Sequence, residues 1–155
     1  MSENKISQAW NPSHRILVVD NEPLIREIST EVLIHSGYLA DAAEDSAAAW
    51  QALNNDYYDL LVTDHNMPKV SGVGLLKKLH AARMSLPVIL MTGAPPTEEL
   101  KRQPWLQIDA VLLKPFTVEE LLITVKKVLR PPVGTCERIK PPANLQSRTS
   151  AMAWC

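Results

Sequence analysis

Residues 16–23 read ILVVDNEP: four consecutive apolar residues, then a carboxylate, an amide, a second carboxylate and a proline. An apolar run without alternation reads as a strand buried on both faces, as in a parallel sheet. Pro23 suits the first turn of a helix and Asn21 could cap it. Leu24, Ile25, Ile28, Val32 and Leu33 then recur at helical spacing, and Gly37 is placed to end the helix. A strand that passes at once into an amphipathic helix is the opening half of a βαβ unit.

The same grammar repeats downstream. Leu60-Leu61-Val62, Val88 to Met91 and Ala110 to Leu113 are further buried-strand runs, and Leu39 to Ala42 is a weaker, edge-like one. Ala48, Ala49, Ala52 and Leu53 mark one intervening helix. Leu75, Leu76 and Leu79 mark another, and Leu121, Leu122, Val125, Val128 and Leu129 a third. The fourth helix is cut short, from Thr97 to Gln103, by Pro95-Pro96 before it and Pro104 after it. Alternating strands and helices predict an α/β domain, a doubly wound five-stranded parallel sheet with helices on both faces and right-handed crossovers. It occupies residues 14–130, after an N-terminal extension over 1–13. Residues 131–155, with Pro131-Pro132 and Pro141-Pro142, read as a linker or disordered tail.

Composition excludes several classes. The 155 residues carry a net charge of -1, with 46% hydrophobic and 21% charged residues, so no basic field suggests nucleic acid. No apolar run approaches the roughly 20 residues that span a bilayer, and the N-terminus lacks a signal-peptide core. Cys136 and Cys155 both fall in the tail, which suits a reducing cytoplasm and leaves no disulfide framework. A soluble cytoplasmic protein is expected, without membrane contact or direct nucleic-acid binding.

In open parallel sheets, ligands gather beyond the carboxyl ends of the strands. There the sequence places Asp20 and Asn21, then Asp64, then Thr92, then Lys114. Two carboxylates, a hydroxyl and an ammonium at one sheet edge suit phosphoryl transfer to a carboxylate. Such a transfer needs a divalent cation against charge repulsion, and hard oxygen donors from Asp20, Asp64 and a backbone carbonyl suit Mg2+. A hydrolase with a strand-end Asp nucleophile would want a second Asp two residues on, where Asn66 stands.

The strings ILVVDNEP, DLLVTDHNMPKVSG, PVILMTGAP and VLLKPF, in this order, resemble the receiver domains of two-component response regulators. The resemblance covers about residues 14–130. It implies a flavodoxin-like sheet of order 2-1-3-4-5, phosphorylated by a histidine kinase or phosphotransfer protein. It matches Asp64 to the phosphoacceptor, Lys114 to the conserved lysine of the pattern and Thr92 to the switch hydroxyl. It also implies a metal site of Asp20, Asn21, Asp64 and the backbone carbonyl of Asn66, a cis Lys114-Pro115 bond and a turn glycine at Gly72. Two positions depart from the pattern. Asn21 replaces a second acidic residue and implies weaker metal binding; Val111 replaces an aromatic residue coupled to the switch hydroxyl.

The resemblance implies signalling through altered protein contacts with an unknown downstream partner. It implies no enzyme activity beyond the domain's own phosphoryl transfer and dephosphorylation. A weak homodimer through the fourth helix, fifth strand and fifth helix is left open. The alternative is a phosphorylation-independent interaction module with a weakened metal site. The resemblance places Asn66 and Ala94 at positions that partly set the lifetime of the phosphorylated state. His65 reads as a bystander to Asp64, and His14, His35 and His80 as surface or helix-end residues. Trp10, Trp105 and Trp154 lie outside the core pattern, Trp105 being either an exposed anchor or a cover for the short fourth helix. The leucine stripes read as core.

Overall fold

The computed structural model describes residues 14–94 and 97–129. The extension, the tail, Trp10, Trp154 and both cysteines lie outside the described residues. Five strands, β1 (Arg15–Val19), β2 (Leu39–Ala43), β3 (Leu60–Asp64), β4 (Val88–Thr92) and β5 (Ala110–Leu113), alternate with five helices. The helices are α1 (Pro23–His35), α2 (Ser46–Asn55), α3 (Gly72–Ala81), α4 (Thr97–Arg102) and α5 (Val118–Leu129). All strand pairings are parallel, in the order β2-β1-β3-β4-β5. This is the flavodoxin-like order that the sequence resemblance implied.

Strand alternation divides the apolar runs between two cores. Leu17, Val19, Leu61 and Leu90 face one side, where Ala49 and Leu53 of α2 and Leu75, Leu76 and Leu79 of α3 cover them. Ile16, Val18, Val62 and Met91 face the other, covered by Leu33 of α1 and by Leu121 and Val125 of α5. The edge strand β2 is tied down at its Asp41. That carboxylate accepts bonds from the Arg15 guanidinium (2.7 Å) and the Tyr58 hydroxyl (2.7 Å).

The helix ends carry the chain into and out of the sheet. Gly37 ends α1 in the left-handed region, at φ 98°. A reciprocal pair opens α5: the Thr117 N–H donates to Glu120 (2.9 Å), and the Glu120 N–H donates to the Thr117 hydroxyl (3.0 Å).

Two local expectations fail. Asn21 does not cap α1; the cap position is Glu22, without a side-chain bond, and the Asp20 carboxylate accepts the Glu22 N–H at 2.8 Å. Pro23 stands at the start of the helix, where its missing N–H costs no helical bond. The α1 stripe is also not simply core. Leu33 is buried, but Leu24 and Ile28 are exposed, while Ser29 is buried. Ile25, Ile28 and Val32 line an open groove of about 500 Å³ against Phe116, Val118 and Leu121. The helix rotates toward α5 as well as the sheet, which a single apolar stripe does not reveal.

Gly72 explains how α3 lies so close to β3. A Cβ there would meet the Asp64 carbonyl oxygen at 2.6 Å and His65 Cα at 2.9 Å, both fixed backbone atoms. The variant Gly72→Ala is expected to lose about 2 kcal/mol of stability through this overpacking. Chemical denaturation measures it, and a variant as stable as the parent would show that the approach is slack.

Candidate functional site at the carboxyl ends of the strands

Each site residue stands where a buried strand stops. Asp20 follows β1, Asp64 ends β3, Thr92 ends β4 and Lys114 follows β5. Asp20 and Thr92 are fully buried and Asp64 is 2% exposed. The strands set them there through backbone bonds: the Asp20 N–H donates to the Ala43 carbonyl (3.2 Å), and the Lys114 N–H to that of Thr92 (2.9 Å). The Lys114-Pro115 bond is cis.

The Lys114 ammonium reaches both carboxylates. It donates to Asp20 Oδ2 at 3.1 Å and lies 3.3 Å from Asp64 Oδ1. The second Asp20 oxygen takes the Glu22 N–H, and the Asn66 N–H donates to Asp64 Oδ1 at 3.3 Å. Burial pushes the Asp64 carboxyl above its ordinary range, the charge of Asp20 pushes it further, and Lys114 only partly opposes them. For the Lys114 ammonium, burial alone would lower the pKa. The hydrogen bond and charge of Asp20, followed by those of Asp64, outweigh burial, and the net shift is upward. One cation thus serves two carboxylates that repel each other.

The structure brings the side chains of Asp20, Asp64 and Lys114 together, while Thr92 is buried at the adjoining strand end with its hydroxyl engaged elsewhere. The Thr92 hydroxyl does not bond Asp64; it donates to the Ala94 carbonyl (2.8 Å) and accepts the Ala94 N–H (3.2 Å). Asn21 and Asn66 are exposed. Val111 sits on β5, 40% exposed. His65 turns one ring nitrogen, Nδ1, into the protein without a hydrogen-bond partner.

Among the described residues no group of three or more acidic, His or Cys side chains gathers as a metal site. The donor set fits Mg2+ nonetheless, because that ion takes one or two carboxylates and keeps several waters. The surplus negative charge of the Asp20–Asp64 pair is what a divalent cation would balance.

Three supports are not apparent from strand-end reading. Arg26 donates to the Asp20 backbone carbonyl at 2.7 Å, clamping the β1–α1 turn. The buried Ser46 hydroxyl donates to the Val70 carbonyl at 2.8 Å, tethering the loop after Asp64 to α2. Within that loop Lys69 takes a left-handed conformation, φ 68°. Ser46, a serine heading an alanine-rich helix, carried a faint signal; Arg26 looked like any exposed helical arginine.

The carboxyl of Asp64 is more easily protonated in the folded protein than in the unfolded chain. Its stabilising share is therefore complete below about pH 4 and is lost as pH rises through the elevated folded value. The variant Asp64→Asn is expected to be more stable than the parent by about 1 kcal/mol at pH 7. In denaturant titrations across pH, that advantage should shrink toward pH 4. A neutral-pH loss of stability would mean that Lys114 outweighs the repulsion.

The family description "Response regulator receiver domain" matches residues 16–126. The response regulator MprA of Mycobacterium ulcerans is 33% identical over 76% of this chain and 51% of its own length. The phosphate regulon transcriptional regulatory protein PhoB of Escherichia coli is 34% identical over 76% of this chain and 52% of its own. The chain thus spans about half the length of these curated relatives. A receiver domain of a Francisella response regulator superposes with a TM-score of 0.69 at 29% identity, over 76% of this chain and 98% of that one. Vibrio cholerae chemotaxis protein CheY4 gives 0.70 at 26% identity, over 76% and 99%. Fold, strand order and sequence agree: this chain belongs to the response regulator receiver domains of two-component systems.

Proposed function

We propose that the chain is a phosphoryl switch in which Asp64 accepts a phosphoryl group from a histidine kinase or phosphotransfer protein. The observation that carries this reading is the Lys114 ammonium held against two buried strand-end carboxylates. An oxygen of Asp64 attacks the phosphorus of a phosphohistidine, the P–N bond breaks, and an acyl phosphate forms on Asp64. Lys114 transfers its contact from the carboxylate to a phosphoryl oxygen. Thr92 gives up its bond to Ala94 and donates to another, so the 92–94 loop changes shape. A bound Mg2+ would be held by Asp20, Asp64, the Asn66 carbonyl and the Asn21 amide, and would neutralise charge on the transferring group. The domain acts in the cytoplasm, catalyses only its own phosphorylation and dephosphorylation, and signals to a downstream protein.

A second reading, a phosphorylation-independent interaction module, rests on the uncharged, exposed Asn21 in the metal site. Intact mass after incubation with Mg2+ and acetyl phosphate separates the two. A single metal-dependent phosphoryl adduct, absent from Asp64→Asn, is expected; none from a folded sample at high Mg2+ would favour the interaction module. Replacing Asn21→Asp adds one ligand charge and is expected to tighten Mg2+ binding about tenfold. Unchanged affinity in a metal titration would remove Asn21 from the site.

A further inference from the structure

Two helices of this chain end in the same backbone motif with different residues at its key position. At the end of α1, the Gly37 N–H donates to the Ile34 carbonyl (3.1 Å) and the Tyr38 N–H to that of Leu33 (3.1 Å). At the end of α3, the Arg83 N–H donates to the His80 carbonyl (2.9 Å) and the Met84 N–H to that of Leu79 (3.0 Å). Both central residues are left-handed, Gly37 at φ 98° and Arg83 at φ 60°. Glycine enters this conformation without steric cost; a residue with a Cβ does not. The backbone would therefore be better served by glycine at position 83, which turns attention to what the arginine side chain does there.

That side chain lines a cleft of about 420 Å³ with His80, Ser85, Trp105 and Gln107, over a floor that includes Leu79. The His80 and Trp105 rings lie with centroids 4.4 Å apart, tilted by 38°. Trp105 remains 45% exposed. Among the described residues no carboxylate lines the cleft. The Arg83 guanidinium has no hydrogen bond or ion pair with any described residue. Val88, the first residue of β4, reaches the cleft, whereas the phosphoacceptor lies at the other end of the sheet.

We infer that this cleft binds a small aromatic anion of about nucleotide size. The ring lies on the exposed face of Trp105, and its phosphate or carboxylate is taken by the Arg83 fork, the side chain best shaped for either group. The volume falls within the range of small-molecule sites, and the lining presents polar groups beside the apolar Trp105 and Leu79.

Titration calorimetry and the Trp105 indole N–H resonance test this on the full chain. Adenosine monophosphate and 1-naphthoate are the probes, one for each anionic group. Adenosine and inorganic phosphate serve as controls lacking the charge or the ring. At least one probe should bind saturably and shift the Trp105 signal, with both controls at least about tenfold weaker. Arg83→Gly should raise the unfolding temperature by about 2–5 °C while weakening the bound probe at least about tenfold. A role confined to structure gives the opposite pattern, a lower unfolding temperature with binding unchanged, and would overturn the inference. So would the failure of both probes to saturate by about 10 mM.

Discussion

The site depends on one ammonium group shared between two buried carboxylates. Lys114 reaches Asp20 and Asp64 because β5 is hydrogen-bonded to β4 and the chain turns inward directly after it. Without Lys114, two negative charges would stand in a desolvated pocket with nothing positive between them. With it, the pair is incompletely balanced, and the Asp64 carboxyl remains pushed upward by burial and by Asp20. This residual imbalance leaves net negative charge at the strand ends, which a divalent cation would offset. The ordered strand ends keep the carboxylates from turning away to relieve it.

Much of the fold was legible because parallel strands buried on both faces write themselves as continuous apolar runs. The weak strand, Leu39 to Ala43, was harder to read because its edge position leaves Leu39 exposed and lets Asp41 pair with Arg15. The stripe on α1 misled for a related reason. A helix that packs on both a sheet and a neighbouring helix presents apolar residues to two directions, and one of those here opens into a groove.

The site was legible where chemistry and strand ends coincide, at Asp20, Asp64, Thr92 and Lys114. It was not legible where position depends on a turn. Asn21 looks like a helix cap in the sequence, yet the helix begins one residue later and the turn is closed by the Asp20 carboxylate on the Glu22 N–H. Arg26 is brought to the Asp20 carbonyl by a helix turn whose start the sequence leaves uncertain. Nor does residue type reveal that Thr92 is engaged with Ala94 while Asp64 stands free of it. The position of Val111, exposed on the edge strand, is equally a matter of packing.

Repulsion between Asp20 and Asp64 that Lys114 only partly offsets is tested most directly by carbon-13 NMR titration of the Asp64 carboxyl. The Asp64 midpoint should lie above the ordinary carboxylate range without metal, higher still in Lys114→Met, and lower when Mg2+ is added. A midpoint at or below the ordinary range, indifferent to both changes, would contradict that repulsion.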